Sequence, residues 1–202
     1  MIYRPQDAFY LRAKQEGYRS RAAYKLGELN QRFNLIRPGD RIVDLGAAPG
    51  GWLQVACRLA GPKGRVVGVD LQSIDAFKEE NILVLQGDVT SYETQKRMKK
   101  ILGSYADCVL SDISPHLSGI HHADVSRSVD LALSALEVAI GLLRPGGSFL
   151  VKTFVGEEVK AFSLELKKYF GSVLATRPQA TRRGSSEIYY CAKEFRRGQL
   201  QG

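Results

Sequence analysis

Four aspartates and one lysine stand at or near the ends of apolar runs, where their types could act together: Asp44, Asp70, Asp88, Asp112 and Lys152. Asp44 opens the stretch Asp44-Leu45-Gly46-Ala47-Ala48-Pro49-Gly50-Gly51-Trp52, whose small residues let a ligand approach the backbone closely. Asp70 follows 19 residues beyond Gly51, where a carboxylate can accept two hydrogen bonds from a ribose diol. Asp88, in Gln86-Gly87-Asp88-Val89, is placed to receive an adenine amino group. The candidate cofactor set is therefore Asp44, Gly46, Ala47, Pro49, Gly50, Gly51, Trp52, Asp70, Leu71, Asp88, Val89 and Asp112. An acid-lined crevice suits a cationic sulfonium carrying an ammonium group. The loop departs from G-x-G-x-x-G, and Pro49 removes an N–H donor that a pyrophosphate cradle would use. S-adenosylmethionine is favoured over NAD, with a ligand-free strand-to-helix turn as the other alternative.

Lys152 is embedded in the apolar run Phe149-Leu150-Val151-Lys152-Thr153-Phe154. Burying an ammonium without a partner is costly, so the lysine either snorkels to water or pairs. Asp112, in Leu110-Ser111-Asp112-Ile113-Ser114-Pro115, is the expected partner at the next strand edge. Desolvation favours the neutral amine, which makes Lys152 a candidate general base. His116, His121 and His122 cluster, but no acid or cysteine lies at ligand spacing in that loop, so no metal site is expected. Cys57, Cys108 and Cys191 lie far apart with no C-x-x-C spacing; packing thiols are expected rather than disulfides or a zinc site. Tyr18 and Tyr24, set among basic residues, are candidates for base stacking or for the core.

These side chains need a frame to hold them. Apolar, β-branched runs at 41–45, 65–70, 82–86, 106–112 and 147–154 predict buried strands. Helical spacing predicts helices at 51–60 and 126–143, the second ended by Pro145-Gly146-Gly147. Strand–helix alternation of this kind implies a parallel sheet covered on both faces. A helix over 157–170 and strands near 172–177 and 187–193 follow, and 5–15 and 20–34 precede the sheet as helices. With no internal repeat and no linker, the 202 residues predict one domain. It consists of a basic N-terminal helical extension (1–40), a Rossmann-like core (41–195) and a flexible tail (196–202).

Of the net charge of +8, residues 1–41 carry +5 and residues 177–202 carry +4, leaving −1 for the body between. A solvated basic face is one explanation, but a near-neutral body with two basic ends is what a polyanion-binding surface requires, with nucleic acid favoured over an acidic protein or a membrane surface. No run of about 18 apolar residues is present to span a membrane, and the first residues carry charges where a signal peptide needs an apolar stretch. A soluble, intracellular protein is expected, in the cytoplasm, monomeric and without a membrane partner.

The chain resembles the FtsJ/RrmJ family of RNA ribose 2′-O-methyltransferases over nearly its whole length. The resemblance runs from Ser20-Arg21-Ala22-Ala23-Tyr24-Lys25-Leu26 through DLGAAPGGW (44–52), SDISP (111–115) and PGGSFLVKTF (145–154) to SSEIYY (185–190). It implies an α/β, Rossmann-like S-adenosylmethionine-dependent methyltransferase fold: a mostly parallel seven-stranded sheet, its last strand antiparallel, with helices on both faces. It places the family's catalytic Lys-Asp-Lys-Glu tetrad on Lys25, Asp112, Lys152 and Glu187. Lys152 would take the 2′-hydroxyl proton, Asp112 would orient it, and Lys25 with Glu187 would steer the ribose. The chain departs from the family at Ile113-Ser114-Pro115-His116, where relatives often carry Met-Ala-Pro-Asn. The implied acceptor is ribosomal RNA within the large ribosomal subunit, with S-adenosyl-L-homocysteine as the spent cofactor. Arg19, Arg21, Arg182 and Arg183 are expected to meet its phosphates. A methyltransferase of the tRNA anticodon loop and an inactive RNA-binding adaptor are the alternatives.

Overall fold

The aliphatic runs that alternate with helical patterns pair into one seven-stranded sheet, seen in a computed structural model that describes residues 8–182 and 184–197. The strands are β1 (Arg41–Leu45), β2 (Arg65–Asp70), β3 (Ile82–Gln86), β4 (Ala106–Ser111), β5 (Leu143–Phe154), β6 (Phe170–Thr176) and β7 (Glu187–Phe195). Their spatial order is β3-β2-β1-β4-β5-β7-β6. The first five are parallel neighbours, whereas β7 runs antiparallel between β5 and β6. The order reverses direction at β1, so the connections leaving the paired strands β1 and β4 go to opposite faces and leave a crevice at their carboxyl ends, where α/β sheets bind ligands.

Alternation of side chains divides the core between the two sheet faces. On one face Val43, Val67, Val109, Phe149 and Val151 pack against α4 (Tyr92–Leu102), α5 (His121–Leu142) and α6 (Val159–Tyr169). On the other, Ile42, Val66, Leu110, Leu150 and Cys191 pack against α2 (Ala23–Phe33) and α3 (Gly51–Ala60). The short α1 (Ala8–Gln15) precedes α2 and buries only Ala13. None of the described helices is long and apolar enough to cross a membrane.

Several bounds differ from the sequence reading. Helix α4 was not anticipated, because its sequence YETQKRMKKIL is mostly charged and it buries only Thr94, Met98 and Leu102. Its ends are nonetheless well marked: Ser91 Oγ accepts from Thr94 N at 3.1 Å, and Gly103 closes the helix with φ 66°. Helix α5 starts five residues earlier than its apolar spacing suggested. There Asp124 accepts hydrogen bonds from Ser118 N, Ser118 Oγ and Gly119 N, which ties down the preceding turn. Pro145-Gly146-Gly147 does not end that helix but interrupts β5, whose pairing with β4 shifts register between Ala106 and Cys108. The expected helix over 5–15 is seen as Ala8–Gln15, its first three residues lying outside the described residues, as does most of the expected tail.

Candidate functional site

The parity of three strands brings the chemistry to one face. Positions 108, 110 and 112 of β4 and its extension, 150 and 152 of β5, and 191, 189 and 187 of β7 all point toward the α2–α3 side. The register Ser111↔Val151 sets Asp112 beside Lys152, and Lys152↔Tyr189 sets the tyrosine across from the lysine. Helix α2 lies over this face and presents Lys25, itself buried. All four residues of the expected tetrad therefore meet.

The contacts form a continuous chain. Lys152 Nζ lies 2.9 Å from Asp112 Oδ1 and donates to the Asp112 carbonyl at 2.8 Å. Lys25 Nζ pairs with Glu187 Oε2 at 2.6 Å and donates to the Tyr189 hydroxyl at 3.1 Å. Tyr189 in turn donates to Asp112 Oδ1 at 2.8 Å. Tyr189 is fully buried, and burial first, then the Asp112 and Glu187 charges, push its phenol well above the usual range. It therefore stays protonated and keeps donating to Asp112. Sequence reasoning gave this residue no role; its place two residues beyond Glu187 on a strand, hence on the same face, is the signal that could have found it.

A cleft of about 550 Å³ opens at the carboxyl ends of β1, β2 and β4, lined by Gly46, Asp70, Leu71, Asp88, Val89 and Asp112 among others. A smaller recess holding Asp44, Ala47, Gly51 and Trp52 adjoins it, the two sharing Gly46, Ala48 and Asp112. Asp70 accepts from Ala48 N at 2.9 Å on one oxygen and Gln72 N at 2.8 Å on the other, which fixes its plane toward the cleft. Asp88 Oδ1 accepts from the Thr90 hydroxyl and N–H, bonds that hold the carboxyl below its ordinary value. Asp44 is different. It is buried, neither of its oxygens has a partner among the described residues, and burial together with Asp112 and Asp70 pushes its pKa well above the ordinary value. An orphaned carboxyl in an acid-lined recess fits a cationic ligand.

Pro49 and Gly50 do not line either hollow. Gly50, with φ 109°, instead lies where a Cβ would meet Phe77 and the Arg19 guanidinium, and a Cβ on Gly51 would collide with Ser20. The segment before α2 is thus laid directly on the loop between β1 and α3. Arg19 N donates to Gln54 Oε1, Gln54 Nε2 donates to the Gly17 carbonyl, and Trp52 Nε1 donates to the Ala22 carbonyl. The Arg19 guanidinium donates to the carbonyls of Asp75 and Ala76 at 2.7 Å and of Pro49 at 3.4 Å, and covers the Phe77 ring at 3.6 Å.

The basic segments converge: Arg21 donates to the Ala180 carbonyl, and Glu28 Oε2 accepts from Gln179 and Ala180 N–H groups. Arg182 is exposed nearby, and Arg183 lies outside the described residues. His116 lines the larger cleft, while the His121 and His122 rings lie 5.8 Å apart at the start of α5. Among the described residues no group of three or more His, Cys, Asp or Glu side chains could hold a metal ion.

A mostly parallel sheet reversing at β1, an antiparallel β7 and an acid-lined cleft whose Asp112 pairs with a buried lysine define a Rossmann-like methyltransferase. The chain belongs to the FtsJ-like methyltransferase family, whose profile matches residues 18–195. It is 52% identical over 190 residues to the ribosomal RNA large subunit methyltransferase E of Methanothrix thermoacetophila, covering 94% of this chain and 73% of that protein. The protein of the same name from Methanococcus aeolicus is 46% identical over 195 residues, covering 96% and 72%. Among solved structures, a ribosomal RNA methyltransferase from Plasmodium falciparum superposes with a TM-score of 0.80 at 29% identity, covering 88% of this chain and 98% of that one.

Proposed function

We propose that this methyltransferase transfers the methyl group of S-adenosylmethionine to the 2′-hydroxyl of a ribose in large-subunit ribosomal RNA, with Lys152 as general base. The observation that carries the reading is the Lys152–Asp112–Tyr189–Lys25–Glu187 chain at the cleft. The names of the relatives in Methanothrix and Methanococcus support the acceptor.

S-adenosylmethionine, when bound, supplies an electrophilic methyl on a cationic sulfur. Asp70 would hold its ribose hydroxyls and Asp88 its adenine amino group, while Asp44 would offer a carboxylate to its positive charge. Lys152 offers three hydrogen-bond positions. Two of them face Asp112 Oδ1 and the Asp112 carbonyl. A neutral amine keeps both as N–H donors, and its lone pair takes the third position. It can then accept the 2′-hydroxyl proton as that oxygen attacks. Asp112 orients the amine. Tyr189 and Lys25 hold Asp112 in place, and Lys25 with Glu187 would steer the acceptor ribose. Alignment of donor and acceptor supplies much of the rate.

Radiolabelled donor with three acceptors tests the proposal: large subunits lacking the modification, purified tRNA and a single-stranded oligomer. The expected result is label in large-subunit RNA, recovered as a 2′-O-methyl nucleoside. Label on a base would overturn the chemistry, and preferential labelling of tRNA would overturn the acceptor.

A further inference from the structure

Outside the cofactor cleft, a groove of about 630 Å³ runs between α1, α2 and the segment before β7. Three aromatic rings line it: Phe9 and Tyr18 each lie 5.5 Å from Tyr24. Each ring is covered by a guanidinium, Arg12 5.0 Å from Tyr24, Arg58 5.1 Å from Tyr18 and Arg21 5.5 Å from Phe9. The acids nearby are already engaged. Glu16 accepts from Arg12 at 2.7 Å and from Tyr24 Oη at 3.0 Å, and Glu28 holds the 179–180 backbone. At the rim stand the exposed amides of Gln31 and Gln179.

The groove is continuous with the site. Arg21 reaches Ala180 on the groove wall, two residues before Arg182. Tyr24 and Lys25 are successive residues of α2, so one faces the groove while the next faces the tetrad. Alternating π faces and cations suit a stacked base flanked by phosphates. Two rim amides, each with donor and acceptor, suit a base edge; an acidic peptide would use the guanidiniums alone.

We propose that this groove is a stacking subsite for the base of an unpaired nucleotide neighbouring the target ribose. The inference rests on RNA being the acceptor. The π faces of Tyr24 and Tyr18 would bind the base, Gln31 and Gln179 its edge, and Arg12, Arg21 and Arg58 the adjoining phosphates.

The test uses the full chain with Tyr24→Leu, Tyr24→Phe and the exposed double variant Gln31→Ala/Gln179→Ala. With large-subunit RNA as acceptor, Tyr24→Leu raises the KM for RNA about tenfold or more, as expected for a lost base–aromatic stack. The double variant raises it too, whereas Tyr24→Phe, which keeps the ring, stays near wild type. In all three, kcat and S-adenosylhomocysteine affinity are unchanged. An RNA oligomer carrying 2-aminopurine reports stacking without catalysis: its fluorescence is quenched by wild type and Tyr24→Phe but not by Tyr24→Leu. Absence of quenching by the wild-type protein, or an RNA KM unmoved in Tyr24→Leu and the double variant, overturns the subsite. So does loss of binding to whole subunits with naked RNA unaffected, which would mark a protein partner. Failure of the wild type to methylate any RNA would sink the proposed function instead, leaving the quenching result to judge the groove.

Discussion

Lys152 keeps only 5% of its surface exposed, yet its ion pair with the Asp112 carboxylate and its hydrogen bond to the Asp112 carbonyl give the ammonium a paired rather than an orphaned burial. Replacing it by alanine removes the proposed proton acceptor, and Asp112 is the one residue of the candidate cofactor set that it is bonded to. Lys152→Ala is expected to lower turnover by ~10²–10⁴-fold with S-adenosylhomocysteine affinity unchanged, measured by single-turnover methylation and calorimetry. Asp44 presents the opposite case, a buried carboxyl without a partner among the described residues. Burial raises its pKa in the folded chain, so the unfolded chain releases this proton at lower pH than the folded one. Its contribution to stability is fully present below the ordinary carboxyl range and is lost as pH rises toward the folded value. Asp44→Asn, neutral at every pH, should therefore match wild type near pH 4 and melt higher near pH 8 in the cofactor-free protein. Each kcal/mol regained corresponds to about 2–4 °C in a chain of this size. A melting difference independent of pH would refute this account of Asp44.

At the scale of elements, the irregular loop between β2 and β3 owes its place to a residue far away in sequence. Arg19 fastens the carbonyls of Asp75 and Ala76 to that of Pro49 in the loop between β1 and α3, just beyond Asp70 and Leu71, which line the cleft. A lysine has neither the planar fork nor the stacking face to do the same. Arg19→Lys is thus expected to weaken S-adenosylhomocysteine binding by about 1–2 kcal/mol, as for a lost charge-assisted hydrogen bond. The salt dependence of RNA binding should be unchanged by the substitution. A fall of about one unit in the salt slope, with cofactor affinity intact, would instead assign Arg19 to a phosphate. Element types were largely legible, because buried strands and the long α5 write their periodicity into the sequence. Helix α4 was not, since a single stripe of three buried residues barely modulates an otherwise charged segment.

For the molecule as a whole, charge separates binding of the two substrates. The two basic terminal segments, +5 and +4, meet where Arg21 and Glu28 bond to the 179–180 backbone, while the body between carries −1. RNA affinity should fall steeply with salt, and Arg182→Gln should lower the slope by about one unit. S-adenosylhomocysteine affinity, which the proposed acid-lined cleft would set, should change far less over the same range. Filter binding from low to moderate salt with both ligands checks the pair of expectations. Salt-insensitive RNA binding would assign the basic segments another purpose.

By itself the sequence determined the alternation of strands and helices, the acids at strand ends and the lysine inside an apolar run. These are local properties, fixed by side-chain periodicity and the cost of burying charge. The resemblance supplied Lys25 and Glu187 as partners for Asp112 and Lys152, and the fold brings those four together. Tertiary structure alone decided that Tyr189 links the two ion pairs, because Asp112 and Tyr189 stand 77 residues apart and meet only through the register of β5 with β7. It alone also decided that Arg19 braces the loop between β1 and α3, that Pro49 and Gly50 line neither hollow, and that the aromatic residues of α1 and α2 frame a groove. Such contacts depend on how distant segments pack, and no local pattern in the chain encodes which of them will touch.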